Sequence, residues 1–405
     1  MKKFFIVSFL FLAFMSLGAE AATKAAVKPK VPPPPALEIS GWIPYWRKAT
    51  GTAEALAHMD AFKEINPFGY TVKDDGTLSD LMKIDEEPWT TLITEAKKKK
   101  VRIIPTVMWS DTEAIHRILR NQKTRIALED TIANLVKQKG FDGIDIDFEG
   151  KKAETKQYFS TFLKGLYQRL GKKWMMCTIE ARTPLDSRYD TIPKDIRYAN
   201  DFVAINKYCD RVRIMTYDQG TIDVKLNRAS SAPYVPVADP GWVEKVIVLT
   251  ARSIPKNKLA IGIPTYGYEY KVTKLSEYGY RYDLQWAFNP RYALELATEL
   301  GITPARNGAN EISFVYKASS LSAPQAAGSE NTGSPTQAGT GLIPTSTTAE
   351  NQPSTQIKDS VNIVWWSDAK AIKDKVALAK KLSVRGVAIF KIDGGADPAM
   401  WDALR

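Results

Sequence analysis

The chain has 405 residues, 44% hydrophobic and 25% charged, which bounds it to one large globular domain or two to three smaller ones and excludes a disordered chain. Two histidines and two cysteines are too few for a disulfide framework, and neither His58 nor His116 has metal-ligand spacing, so a zinc or histidine-triad enzyme is not expected. The net charge of +11 suits an acidic polymer, yet the basic residues are scattered apart from 97–100. No nucleic-acid motif accompanies that lysine run, which reads as a solvated helix end.

In chain order, Met1-Lys2-Lys3, the apolar run 4–17 and Ala19-Glu20-Ala21 have the three parts of a secretory signal peptide. Residues 1–21 are therefore expected to be removed on export, and an apolar run of about 14 residues is short for a retained membrane anchor. Without Lys2, Lys3 and Glu20 the charge falls to about +10. Residues 22–36, rich in Pro and Lys, read as an extended linker. From Leu37 onwards, apolar or aromatic segments alternate with longer amphipathic ones. The strand candidates are 39–46, 64–70, 101–109, 140–149, 174–181, 211–218, 259–267 and 386–392. Between them, Tyr158, Phe159, Phe162, Leu163, Leu166, Tyr167 and Leu170, and later Ile372, Val376, Ala379 and Leu382, keep helical spacing. This pattern predicts an α/β fold, a (β/α)₈ TIM barrel over 37–405, with a doubly wound open sheet as the alternative. Two stretches interrupt the last crossover: a small α+β insertion at 268–317, and a Ser-, Thr-, Gly- and Pro-rich segment at 318–360 expected to be a disordered loop. Cys177 and Cys209 fall in or beside strands, either bridged or as buried thiols.

The segment "FDGIDIDFEG" (141–150) carries the chemistry. On a strand, Gly143, Asp145, Asp147 and Glu149 share one face, and Asp142, Ile144, Ile146 and Phe148 take the other. In a barrel the apolar face meets the helices, so the carboxylates point inwards, where branched apolar side chains normally pack. Acids stacked about 6–7 Å apart do not all ionise cheaply, and one or two should keep a proton. Pairing with Arg or Lys, or a Mg²⁺ or Ca²⁺ site, would also account for them. Glu149 comes last, at the mouth where barrel enzymes hold their reacting groups.

"DGIDIDFE" resembles the DGxDxDxE signature of glycoside hydrolase family 18, the chitinase-like barrels; "MTYD" (215–218) resembles that family's sixth-strand motif and "GWIPYW" (41–46) its first strand. The likeness runs from about Ile39 to Trp401. Around 239–270 and 363–395 it is closest to the bacterial branch of spore-cortex and peptidoglycan N-acetylglucosaminidases. The resemblance implies a retaining, substrate-assisted hydrolysis that needs no metal and no cofactor. Glu149 would be the general acid and Asp147 would orient the substrate's acetamide. Asp145 would share a proton with Asp147, and Tyr217 would bind the acetamide oxygen. Tyr45, Trp46, Trp109, Tyr266 and Phe390 fall near strand ends as candidate sugar platforms, with plain packing left open for Tyr45, Trp109 and Tyr266. Met215 and Asp218 would line the central subsite, whereas Trp365 and Trp366 read as core or lid. Phe390 stands where the family usually carries Trp, which lessens stacking area. The expectation is an exported, monomeric glycosidase cleaving β-1,4 bonds after N-acetylglucosamine in peptidoglycan, neither binding nucleic acid nor staying in the membrane after signal cleavage. Its final compartment would be the periplasm, the cell wall or the medium. Chitin or chito-oligosaccharides are the alternative substrates. A sugar-binding lectin with little turnover is the other reading, against which the intact Asp145, Asp147, Glu149 and Tyr217 speak.

Overall fold

Alternation of apolar strands and amphipathic helices closes here into a parallel barrel of eight strands: β1 Glu38–Pro44, β2 Glu64–Val72, β3 Thr106–Trp109, β4 Gly143–Phe148, β5 Trp174–Glu180, β6 Arg211–Met215, β7 Leu259–Pro264 and β8 Gly386–Phe390. Each strand pairs in parallel with its neighbour in the chain, and β1 lies between β2 and β8, which closes the ring and removes the open-sheet alternative. The computed structural model describes residues 36–230, 233–276, 279–317 and 360–404. The signal segment 1–21, the linker but for Ala36, and the loop expected at 318–360 but for Ser360 lie outside the described residues. The third strand is shorter than the expected 101–109. Pro105 cannot donate a ladder hydrogen bond, so Arg102–Ile103 forms a separate short pairing with β2.

Local signals place the helices around the ring. Asn121 caps Gln122–Lys139 by accepting from Lys123 and Thr124, and Gly140 ends that helix at φ 66°, a conformation that favours glycine. Lys156–Leu170 buries Phe159, Phe162, Leu163, Leu166 and Leu170; its Phe162 stacks on Phe148 of β4 at 5.3 Å. Ala369–Leu382 buries Ile372, Val376, Ala379 and Leu382 behind an Asp368 cap. Lys97–Lys99 occupy the exposed last turn of Trp89–Lys99, and Lys100 follows it, where the helix dipole favours cations. No helix among the described residues is long and apolar enough to cross a membrane.

Between β7 and β8 a second, antiparallel sheet is inserted, with strands in the order Tyr280–Phe288, Gly267–Lys274, Ser360–Trp366, Ile312–Tyr316 and Ala305–Arg306. Helix Pro290–Glu299 packs Ala293, Leu296 and Ala297 against Phe288, Phe314 and Trp366 of that sheet. Trp365 and Trp366 are buried in it, and Trp365 donates from Nε1 to Glu311 at 2.8 Å. Cys177 and Cys209 form a disulfide, Cα–Cα 5.9 Å, which ties β5 to the turn before β6.

Candidate active site at the barrel mouth

The strand period acts in β4 as the sequence implies. Ile144, Ile146 and Phe148 join the outer apolar layer, while Asp145 and Asp147 are buried at 0% and 3% exposure. Asp145 Oδ2 accepts from Trp42 Nε1 at 3.2 Å, Thr106 Oγ1 at 2.9 Å and Thr178 Oγ1 at 3.1 Å. Its Oδ1 lies 2.9 Å from the Arg213 guanidinium. Burial pushes the Asp145 carboxyl up to about 6 while these hydroxyls and the indole pull it down, and the adjacent guanidinium favours the ionised form further. Arg213, itself buried, is drawn down to about 9. It also contacts Glu64, so the deepest acid of the line is ion-paired while those above it are not.

Asp147 stands one step nearer the mouth. Its Oδ1 is buried without a hydrogen-bond partner among the described residues. Burial, with the charges of Asp145 and Glu180, pushes its carboxyl well up. Glu149 follows the end of β4, its N–H donating to the Trp109 carbonyl at 2.8 Å. Burial, Asp147 and Glu180 push it well up too, against the pull of Lys151. Both carboxyls are therefore shifted towards their protonated forms.

Tyr217 faces this line from just beyond β6. It is 8% exposed, and burial together with Asp147, Asp218 and Glu149 pushes its phenol well up, so it is a hydrogen-bond donor at any working pH. Its ring stacks on Phe390 at 5.6 Å. Phe390 ends β8 in a cis peptide bond to Lys391, and its ring meets Trp42, Phe68 and Tyr266 edge-on. Asp218, at φ 57°, accepts from Tyr266 and Tyr268 at 2.5 and 2.6 Å. Met215 is half-buried at the end of β6.

Of the aromatic candidates, Phe390 and Tyr266 gather around Tyr217, and Trp46 reaches the same wall through Phe68 at 6.1 Å, with Tyr45 beside it at 5.0 Å. Trp109 stands apart. Its register partner is Phe148, against which it packs edge-on at 5.2 Å on the helix side of the barrel, 4% exposed.

Sequence reasoning passed over four residues. Arg213 and Trp42 hold Asp145. Glu180, at the end of β5, accepts from the Gly150 N–H at 3.0 Å and from Asn200 at 2.6 Å. Lys151 lies 3.6 Å from Glu180 with its side chain 1% exposed. The signal for Arg213 was present: Arg211, Arg213, Met215 and Tyr217 alternate along "RVRIMTY" as the acids do along β4.

The sequence profile of glycosyl hydrolases family 18 matches residues 41–395. The uncharacterized glycosylase YvbX of Bacillus subtilis is 25% identical over 329 residues, 78% of either chain. The cortical fragment-lytic enzyme of the same organism is 26% identical over 349 residues, 83% of this chain and 66% of that one. Among solved structures, a chitinase from Chromobacterium violaceum superposes with a TM-score of 0.66 at 18% identity, covering 91% of this chain and 98% of its own.

Proposed function

The chain belongs to glycosyl hydrolases family 18 and is a glycosidase, and from that premise we propose that it cleaves β-1,4 bonds after N-acetylglucosamine in peptidoglycan, by a retaining, substrate-assisted route. The observation that carries the mechanism is the inward line of Asp145, Asp147 and Glu149 with its two upper acids pushed towards their neutral forms. Glu149 gives its proton to the glycosidic oxygen as the bond to the anomeric carbon breaks. The substrate's own acetamide oxygen forms the new bond to that carbon, in place of the second enzyme carboxylate that most glycosidases use. Asp147, whose Oδ1 lacks a partner within the protein, takes the acetamide N–H and faces the positive charge that spreads over the ring. Tyr217 donates to the acetamide oxygen. Water, giving its proton to Glu149, then attacks the anomeric carbon as the bond to the acetamide oxygen breaks and restores the N-acetyl group, and two inversions leave the configuration retained. Met215, Asp218, Tyr266, Phe390, Tyr45 and Trp46 bind the sugars on either side, and Trp109 supports the strand end from behind. The enzyme works as a monomer, needs no cofactor, and is exported by its first 21 residues.

Peptidoglycan is favoured by the likeness to a cortical fragment-lytic enzyme and by the net positive charge, which suits an acidic wall polymer. The test is a paired digestion of peptidoglycan and of N-acetylglucosamine oligomers by the mature protein and its Glu149→Gln variant. Mass spectrometry identifies the new ends, and NMR the first-formed anomer. Glu149-dependent fragments ending in reducing N-acetylglucosamine as the β-anomer, released from peptidoglycan, are the expected result. Cleavage of the oligomers alone would move the substrate to chitin, and inversion would overturn the mechanism.

A further inference from the structure

The inward face of β6 brings a guanidinium into the barrel beneath the acids. Arg213 pairs in register with Thr178 on one side and Ala260 on the other, and it is 2% exposed. It lies 2.9 Å from Asp145 Oδ1, contacts Glu64 of β2, and its guanidinium carbon is 5.3 Å from the centre of the Trp42 ring. A buried guanidinium is costly unless carboxylates answer it, and here two do.

Around Asp145, Arg213 and the Trp42 indole are donors with no acceptor capacity. Trp42 divides its donor between Asp145 Oδ2 at 3.2 Å and Thr106 Oγ1 at 3.1 Å, and Arg213 faces Asp145 and Glu64 as a charge, without a hydrogen bond from either terminal nitrogen, so both favour an ionised Asp145. Thr106 and Thr178 supply further hydroxyls at 2.9 and 3.0 Å. Above, Asp147 Oδ1 makes no hydrogen bond to Asp145 or to any other described residue. We infer that Arg213 is a positioning residue which, with Trp42, holds Asp145 as a carboxylate at neutral pH, so that the proton of the acidic strand is there carried by Asp147 and Glu149 alone. This rests on the reaction proposed above and replaces the proton shared between Asp145 and Asp147 that the family resemblance implies. A fixed negative charge below Asp147 keeps the proton at the mouth and opposes the cationic sugar from beneath.

The other titratable groups supplied by the eight strands are few. Glu64 contacts Arg213, and Arg102, Arg211, Arg385 and Glu38 form the layer below. Asp147, Glu149, Glu180 and Tyr217 stand above, while Tyr70 packs on Phe141.

The test measures kcat/KM against pH for the wild type, Arg213→Met, Arg213→Lys and Thr178→Val. It is joined by infrared difference spectra that report protonated carboxyl groups. Without Arg213, Asp145 takes up a proton, its charge no longer raises Asp147 and Glu149, and both limbs of the profile move down by about one pH unit. Arg213→Lys should restore at least half of that displacement, and Thr178→Val should give a smaller one in the same direction. Arg213→Met should also gain a protonated-carboxyl band that disappears in Arg213→Met with Asp145→Asn. A fall in kcat with unmoved limbs, limbs that move up, or a neutral Asp145 already present in the wild type at pH 7 would overturn the inference. If Arg213→Met does not fold, Thr178→Val decides by the same criteria. A wild type that cleaves neither peptidoglycan nor oligomers would defeat the functional reading instead, and the infrared comparison would still decide the state of Asp145.

Discussion

The lower end of the barrel and its mouth both hold half-buried glutamates, and they treat them in opposite ways. Below, Glu38 accepts from Arg211 at 2.9 Å and Arg385 at 2.7 Å, with Arg102 at 3.8 Å. Burial pushes its carboxyl up, but the guanidiniums overcome that and hold it at about 2. At the mouth, Glu149 is just as much an inward-facing strand-end acid, yet its charged neighbours are mostly acids, and it is pushed well up. Between these two ends the difference lies in the neighbours: guanidiniums around Glu38, mostly carboxylates around Glu149. Asp145 stands on the boundary, ion-paired like the acids beneath it and stacked in line with those above.

The largest expected effect breaks the mouth. Glu149→Gln should lower kcat/KM by roughly 10²–10⁴-fold, measured on whichever polymer the wild type cleaves; activity within tenfold of wild type would mean another residue supplies the proton.

The same exchange of Glu for Gln should then act with opposite sign at the two ends. The carboxyl of Glu38 ionises more readily folded than unfolded, so it contributes stability above pH 4.5 that is lost as the pH falls towards 2. Glu38→Gln should cost about 1–2 kcal/mol at pH 7, allowing for solvent screening, and flatten the acid side of the stability curve in urea titrations. Glu149 has the reverse shift: its contribution is full at low pH and is lost as the pH rises through its folded value. Glu149→Gln should therefore stabilise the protein above neutral pH. Equal signs for the two variants would remove the contrast.

A smaller effect sharpens the boundary at the mouth itself. Glu180 is held ionised, burial being overcome by Lys151, Asn200 and the Gly150 N–H. Its charge raises the carboxyls of Asp147 and Glu149. Glu180→Gln should shift the alkaline limb of the pH–rate profile down by some tenths of a unit, and Lys151→Met should shift it up. Smallest of all, Phe390→Trp adds stacking area beside Tyr217 and should raise kcat/KM on N-acetylglucosamine oligomers within about tenfold. Unchanged or lower activity would show a pocket cut for a different ligand.

The barrel and the inward direction of its acidic strand were readable because strand period and burial act on the same residues: acids at alternate positions between Ile144, Ile146 and Phe148 have only one face to occupy. The insertion was readable as mixed pieces, but its order was not, since Ser360–Trp366 pairs between strands far earlier in the chain. Trp109 illustrates a limit of strand-end reasoning. Proximity to the mouth says nothing of side, and its alternation with Met108, which is opposite Asp147, points it towards the helices. Glu180 and Lys151 gave no local signal, because what matters is the Gly150 turn that brings them together.

The pairing of β1 with β8 has a consequence for when the site exists. Ser40 Oγ donates to Val387 O across 347 residues of chain, and Phe390, against which Tyr217 lies, comes from the same late strand. A growing chain that has not passed residue 390 has neither a closed ring nor the Phe390 ring that Tyr217 lies against, however completely its acids are already in place. Assembly of this fold thus acts as its own safety catch: no shortened product, whether from interrupted synthesis or a cut upstream of β8, carries a working mouth unless the missing strand is returned to it.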